Sequence, residues 1–375
     1  MKKPILLLLT LCLSAMSFGQ QLAQFKEKKK TGFINTDGQV VIPATYEAAG
    51  DFSEGLAPVR VNKKWGVINT QGQVVIEPSL DMIEGFNQGV SIAKQGKEIF
   101  YINKKGERLH TPDSDKLYPY QKGGVAFIRK DKKIGLIDTS GKVILPPTYD
   151  VIRDFKGGFA RVRNNGLWGI IDLKGKVVVP AEYQDLGEWE NGKMTWAKKG
   201  EEYGILTGST FKAIEGVVKI WDFNGRDITY AKKGELIGYI DKQGRWVIEP
   251  KFTKARAFND GLAPVVMDQK WGYTNTSGEL VIPATYEDAE VFNEGLAPVK
   301  IGKNWGFINT QGELVIPADY QITIGGGFGI FQSADSKGFI NGLARVKNGK
   351  TWGFLKKDGS VLGQKWYDNL ELFSE

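Results

Sequence analysis

The chain has 375 residues, 50 Lys and Arg against 43 Asp and Glu, a formal charge of +7, one histidine and one cysteine. Its cysteine, Cys12, lies in an apolar leader, so the rest of the chain has no means to form a disulfide, a cysteine–zinc site or a cysteine nucleophile. Lysines and acids alternate along the length, and the one dense basic run is Lys26-Glu27-Lys28-Lys29-Lys30; dispersed charge of this kind reads as a solvated surface and argues against a nucleic-acid partner.

The first element is the leader. Lys2 and Lys3 form a positive start, and Ile5 to Phe18 is apolar but too short and too early to span a membrane. Ser17-Phe18-Gly19 places small residues where a signal peptidase needs them. The reading is therefore a signal peptide over 1–19, cleaved after Gly19, and an exported chain of periplasmic, cell-surface or secreted location that is not membrane-spanning. A lipidated Cys12 would place Leu11 where a small residue is required.

From residue 20 to 375 one unit recurs. Phe52, Phe86, Tyr120, Phe155, Trp189, Phe223, Phe258, Phe292, Phe339 and Phe373 are one position of that unit, with gaps of 34, 34, 35, 34, 34, 35, 34, 47 and 34 residues. A fixed period of this length means a repeat architecture. In the copy from Phe52, three short runs alternate with period two: Leu56 to Val61, Lys64 to Asn69 and Gln73 to Ile76. Such runs read as strands, and no long helical periodicity accompanies them.

The breaks between the runs carry turn chemistry. Asn62-Lys63 predicts a tight hairpin. Asn69 to Gly72, Asp138 to Gly141, Asp241 to Gly244, Asn275 to Gly278 and Asn309 to Gly312 predict a turn opened by Asn or Asp and closed by Gly. Pro43, Pro146, Pro180, Pro283 and Pro317 are expected to follow and stop the third strand, while Pro58, Pro264 and Pro298 either leave one side of the first strand unpaired or mark its start. The glycine after each tryptophan is expected to mark a close approach, of a neighbouring backbone or of an aromatic ring, with a ring from the adjacent unit favoured. A three-stranded meander is marginal alone. Each buried aromatic contributes on the order of 4–6 kcal/mol before entropy, so stability is expected to depend on neighbouring units.

The fold expected is all-β: a tandem array of about ten 34-residue three-stranded β-meander repeats. An open curved solenoid-like array is favoured over a closed β-propeller, because ten units exceed the usual four to eight blades. The units are degenerate near 95–120 and 190–230, and a Gly-rich insertion falls within 321–338.

Candidate chemistry is sparse. His110 has no second histidine to share a metal. Asp222-Phe223-Asn224-Gly225-Arg226-Asp227 looks like a fragment of a calcium loop but aligns with the repeat's own turn. Gly325 to Gly329 lacks the helix and Lys-Ser/Thr of a phosphate loop. Glu54, Asp260 and Glu294 are one turn position in separate copies. No cofactor, no metal and no catalytic residue is expected. Trp189, Trp196 and Trp221 are the candidate ligand-binding residues, as stacking platforms for a sugar or peptide if exposed; the favoured alternative is that they repack the core of a degenerate unit.

The repeat positions Phe52, Trp65, Gly66, Phe86, Trp168, Gly169, Phe258, Trp271, Gly272, Phe292, Trp305, Gly306, Trp352 and Gly353 are followed by Asn-Thr-x-Gly, Val-Ile-Pro-x-x-Tyr and Phe-x-x-Gly-Leu-Ala-Pro-Val in the clearest copies. This pattern resembles the WG-repeat family, also called KWG repeats, over essentially the whole chain after residue 19. Thr31, Phe100, Ile134, Tyr203 and Ile237 replace the tryptophan, and Tyr101 replaces the glycine. The resemblance implies a bacterial, exported or partner-associated chain with a binding role and no common catalytic residues. The functional expectation is a non-catalytic scaffold binding a protein partner in the bacterial envelope; the alternative is a glycan- or peptidoglycan-binding module using exposed tryptophans.

Overall fold

A computed structural model of the chain describes residues 21–110, 112–322 and 337–374. The leader at 1–19 and the glycine-rich run Gly325 to Gly329 lie outside the described residues. Within them the chain is all-β, with a 3-10 turn at Leu362–Gln364, and forms ten small antiparallel sheets in succession. No helix among the described residues is long and apolar enough to cross a membrane.

The first two units show the construction: β1 (Leu22–Glu27), β2 (Lys30–Asn35), β3 (Val40–Tyr46), β4 (Ala48–Ala49), β5 (Leu56–Val61), β6 (Lys64–Asn69) and β7 (Val74–Leu80). Sheet two has the order β4-β5-β6-β7, so a two-residue strand adds to the three-stranded meander. Asn62 and Lys63 have φ of 50° and 65°, the paired positive values of a hairpin turn that matches strand twist. At the next turn the Asn69 side-chain oxygen accepts from the N–H groups of Gln71 (3.1 Å) and Gln73 (2.9 Å), and Gly72 takes φ 78°. Pro58 lies in β5 just where β4 ends, and its carbonyl accepts from Gly50 N–H at 2.8 Å.

Two expectations about the third strand are corrected. The prolines after it are inside it: Pro43 sits in Val40–Tyr46 and Pro317 in Leu314–Tyr320. They occupy a bulge. Trp65 stands opposite Leu80 and Val67 opposite Ile76, so Glu77, Pro78 and Ser79 all face Gly66. A Cβ on Gly66 would lie 2.5 Å from the Ile76 carbonyl oxygen and 2.8 Å from Pro78 N. Gly32, Gly169, Gly272 and Gly306 meet the corresponding backbone of their own third strand. The glycine therefore makes room for main chain within its unit, not for a ring from the adjacent one; at Gly353 the neighbour is the Trp366 ring. In the third unit the register puts Ile99 at the tryptophan position and Phe100 at the glycine position, one residue earlier than the sequence reading of Phe100 and Tyr101.

Sheet-to-sheet packing is aromatic and repeats. Phe52 meets Phe33 with ring centroids 4.8 Å apart, Phe258 meets Tyr239 at 4.6 Å, Phe292 meets Tyr273 at 4.9 Å and Phe339 meets Phe307 at 5.1 Å. In most units the turn glycine rests on a side chain of the unit before, Gly72 on Ile42, Gly106 on Ile76 and Gly312 on Ile282. His110 is such a residue: it occupies the Ile42 position, against Gly141.

The same contacts join the two ends of the chain. Asn369–Leu370 pairs with β1, Leu370 opposite Phe25, and takes the place that β4 has beside β5. Leu22 and Ser374 exchange main-chain hydrogen bonds of 2.9 and 3.0 Å, Asp368 accepts from Lys28 N–H at 3.1 Å, and Gly38 packs on Leu362. The tandem all-β repeats are as the sequence indicates, but the array is not open: its last unit completes its first sheet, and the ten sheets form a closed cycle.

Ending the chain after Tyr367 removes the fully buried Leu370 and the partly buried Phe373. We expect a loss of about 3–5 kcal/mol and faster amide exchange across β1; unchanged exchange there would show that the end pairing does not hold the cycle shut. Gly66→Ala is expected to cost about 1–3 kcal/mol by overpacking. Gly85→Ala, whose Cβ would meet only Ser53 Cβ at 3.8 Å, serves as the near-neutral control in the same denaturant titration.

Candidate functional site

Two positions of the unit carry most of its individuality. One is the residue two before the repeat aromatic, the other the third residue of the first long strand. They are side by side because the N–H of the first donates to the carbonyl of the second: Gly50 to Pro58, Arg153 to Arg161 (2.9 Å), Gly187 to Trp196 (2.9 Å), Trp221 to Tyr230 (3.2 Å) and Arg256 to Pro264 (3.0 Å). In the copy from Phe52 they are small or rigid. From the third unit onward they include charged and aromatic residues, first Glu84 and then Tyr118 and Phe127.

Side chains at these positions reach the following unit. Gln24 donates to Asp51 at 2.5 Å, Arg161 donates to the Leu186 carbonyl at 2.7 Å and pairs with Glu188 at 3.1 Å, and Arg345 donates to the Leu370 carbonyl. Arg256 binds the Ala289 carbonyl at 2.7 Å and pairs with Asp288 and Glu290; the buried Glu290 also holds Lys337 at 2.5 Å. A polar and aromatic seam thus runs from Arg153 to Lys337.

The three candidate tryptophans lie on or beside this seam. Trp189 is buried at the repeat-aromatic position, 7% exposed, in the core with Ile170 and Leu206. Trp196 is 8% exposed, and its indole N–H donates to Asp222 at 2.8 Å. These two are not exposed platforms. Trp221 is half-buried, stacked on Tyr230 at 4.5 Å with Lys219 Nζ 4.4 Å from its ring centroid. One ring face cannot hold both neighbours at that height, so a sugar would have to displace the lysine. The calcium-like run is also engaged: Asp222 accepts from Trp196 and from Glu188 N–H, and Asp227 pairs with Lys242 at 3.1 Å. Among the described residues no group of three His, Cys, Asp or Glu side chains converges.

Glu54, Asp260 and Glu294 each clasp the following unit. Glu54 accepts from Gln88 N–H (2.5 Å) and Gly89 N–H (2.9 Å) and pairs with Lys104 at 3.0 Å; Asp260 accepts from Gly295 N–H at 2.8 Å; Glu294 accepts from Gly342 N–H at 2.9 Å and pairs with Lys357 at 3.1 Å. Partial burial works to raise the carboxyls of Glu54 and Glu294, but the lysine and the backbone donors outweigh it and both lie below the usual range.

This arrangement defines a class: a closed tandem β-repeat ring whose chemistry sits at unit boundaries. The model of the WG containing repeat matches residues 32–65, 65–98, 134–168, 168–203, 237–271, 271–305 and 305–322, more than half of the chain. The chain belongs to this family. No curated protein matches it. Among solved structures, it is similar to a eukaryotic initiation factor (10% identity, 94% of this chain and 98% of that chain, TM-score 0.48). It is also similar to Hsv2p of Kluyveromyces lactis (10% identity, 70% and 97%, TM-score 0.30) and to the dihydro-heme d1 dehydrogenase NirN (11% identity, 71% and 73%, TM-score 0.30). Likenesses this distant say nothing about what the chain binds or does.

The lowered clasp carboxyls make acid the weak side. A carboxyl whose folded pKa is depressed contributes stability above its unfolded pKa and loses it as pH falls through the folded one. Asp81, Asp150 and Glu287 are lowered chiefly by hydrogen bonds from lysines and share this direction, whereas Asp51 and Glu84, raised by burial, oppose it. The thermal midpoint is expected to hold between pH 7 and about 5 and to fall below about 4.5. Glu54→Gln and Glu294→Gln should each flatten that fall when melts are recorded across the range.

Proposed function

We propose that the chain is an exported, non-catalytic scaffold that binds a protein partner along the edge strands of its ring, in a bacterial envelope. The observation that supports this is a repeated apolar band. In most units the third strand is the last in its sheet, with one main-chain edge unpaired. At its start Val40, Val74, Val143, Val177 and Leu314 are between 46% and 52% exposed, and Val75, Val247, Val281 and Val315 are each 41% exposed. Aliphatic side chains repeated in register around a ring are what an extended partner surface packs against. The prolines within several of these strands remove donors from the edge, which favours side-chain packing over strand addition. The leader supports export, and the clasp role of Glu54, Asp260 and Glu294 supports a scaffold without a reaction centre.

A glycan-binding module is the second reading, and it now rests on Trp221 alone, the one candidate tryptophan that is half-buried rather than buried, and it requires Lys219 to be displaced from that ring.

A crosslinking pull-down from native envelope, with the chain from Gln20 as bait, separates the two. We expect one stoichiometric protein partner. Val74→Lys with Val281→Lys and Leu314→Lys should lower its recovery at least tenfold while the folded chain loses about 0.5 kcal/mol or less per substitution, because the sites are exposed. Polysaccharide recovered without protein, and lost in Trp221→Ala, would overturn the scaffold reading in favour of the second.

A further inference from the structure

We propose that the fifth sheet carries a binding site for an oxyanion, a carboxylate or phosphate group, formed by Arg153, Arg161 and Arg163 beside Trp168. Arg161 and Arg163 are alternate residues of the strand Phe159–Asn164, so they share a face, and Trp168 stands opposite Arg163 in the ladder. Arg153 joins them through its hydrogen bond to the Arg161 carbonyl. The three guanidinium carbons lie 5.7, 6.0 and 5.5 Å from the Trp168 ring centroid, in the order Arg153, Arg161, Arg163.

Their positive charge is under-compensated. Glu188 serves Arg161 at 3.1 Å and Lys156 at 3.3 Å together. Asp150, beside Arg163, already accepts from Lys133 at 2.6 Å and from Asn165 N–H at 2.8 Å. Among the described residues no carboxylate forms an ion pair with Arg153 or Arg163, and the buried Nε of Arg161 has no hydrogen-bond partner.

The repeat itself shows what is missing. Arg256 is the counterpart of Arg153 three units on, and it is neutralised by Asp288 and by Glu290 of the following unit. The counterpart of Glu290 after Arg153 is Gly187, where even a Cβ would strike the Trp196 indole and the Asp222 carboxylate. The unit therefore keeps the arginine and one acid position, Asp185 standing where Asp288 does, but omits the counterpart of the buried Glu290, and Asp185 forms no ion pair with Arg153. Guanidinium groups crowded together repel one another. An external oxyanion relieves that repulsion and can take two parallel N–H donors from each fork. Arg153 is exposed, so the position is open to solvent.

The test titrates the purified chain with sodium phosphate and, separately, sodium succinate, with sodium chloride holding ionic strength constant. Tryptophan fluorescence and the thermal midpoint are both followed. Saturation with at least one of the two is expected, with a rise in midpoint, and the preferred salt assigns phosphate or carboxylate chemistry. Arg153→Gln and Arg163→Gln should each weaken that affinity at least tenfold, while Lys233→Gln, exposed in another sheet, leaves it unchanged. Trp168→Phe should remove the fluorescence change and keep the midpoint shift. A response no larger than that of sodium chloride, or unchanged affinity in both arginine variants whose near-UV circular dichroism matches the parent chain, overturns the proposal.

Discussion

The passage of the third strand's backbone over the glycine after the tryptophan is the contact on which the rest of this architecture depends. Three residues, Glu77 to Ser79, are accommodated opposite Gly66, and the strand leaves that bulge turned toward the next sheet. Only Glu47 separates β3 from β4, and only Asp81 separates β7 from the next two-residue strand at Met82–Ile83. A handover of one residue leaves little freedom in how one unit follows another. The close approach at a bulge sets the relation between neighbours, and repeating it sets the curvature of the whole.

Closure then follows from giving the last unit something to hand over to. The end of the chain supplies to β1 what β4 supplies to β5, with the same pairing, the same acid on the hairpin N–H and the same turn glycine against an aliphatic side chain. An open array of such units would leave a terminal core exposed at each end and would need dedicated capping repeats. The cycle has no ends to cap. Phe25, Phe354, Leu362, Tyr367 and Leu370 form a core of the same kind as the internal ones, although they come from opposite ends of the chain.

With the scaffold held by repeated contacts, its boundary positions are free to differ. Each carries its own fastening: Gln24 with Asp51, Arg161 with Glu188, Trp196 with Asp222, Arg256 and Lys337 on Glu290. Individually such part-buried pairs contribute modestly. Together they distinguish one boundary from another, so that a unit finds its own neighbour among nearly identical copies. Where the pairing is incomplete, around Trp168, charge remains available to a ligand.

The ten aromatics at a near-constant spacing, the Asn-x-x-Gly turns and the period-two runs were enough, without coordinates, to establish an all-β repeat and its strands. Those signals are local, set by backbone dihedrals and by which face of a strand is apolar. The bulge was not legible, because Val-Ile-Pro reads equally as a strand followed by a stop; only the register shows the strand continuing past the proline. The place of Trp189 among the repeat aromatics points to the core, and packing into the core of a degenerate unit is the favoured reading of Trp196; neither could be decided from the sequence, since a tryptophan buried against a neighbouring unit and one facing solvent look the same there. The seam from Arg153 to Lys337 could have been found by aligning the residue two before each repeat aromatic; its partners could not, because each lies one unit away. Closure, likewise, was a decision of tertiary structure alone. Leu22 and Ser374 are more than 350 residues apart, and whether a curved array meets its own beginning depends on a small angle summed over every unit.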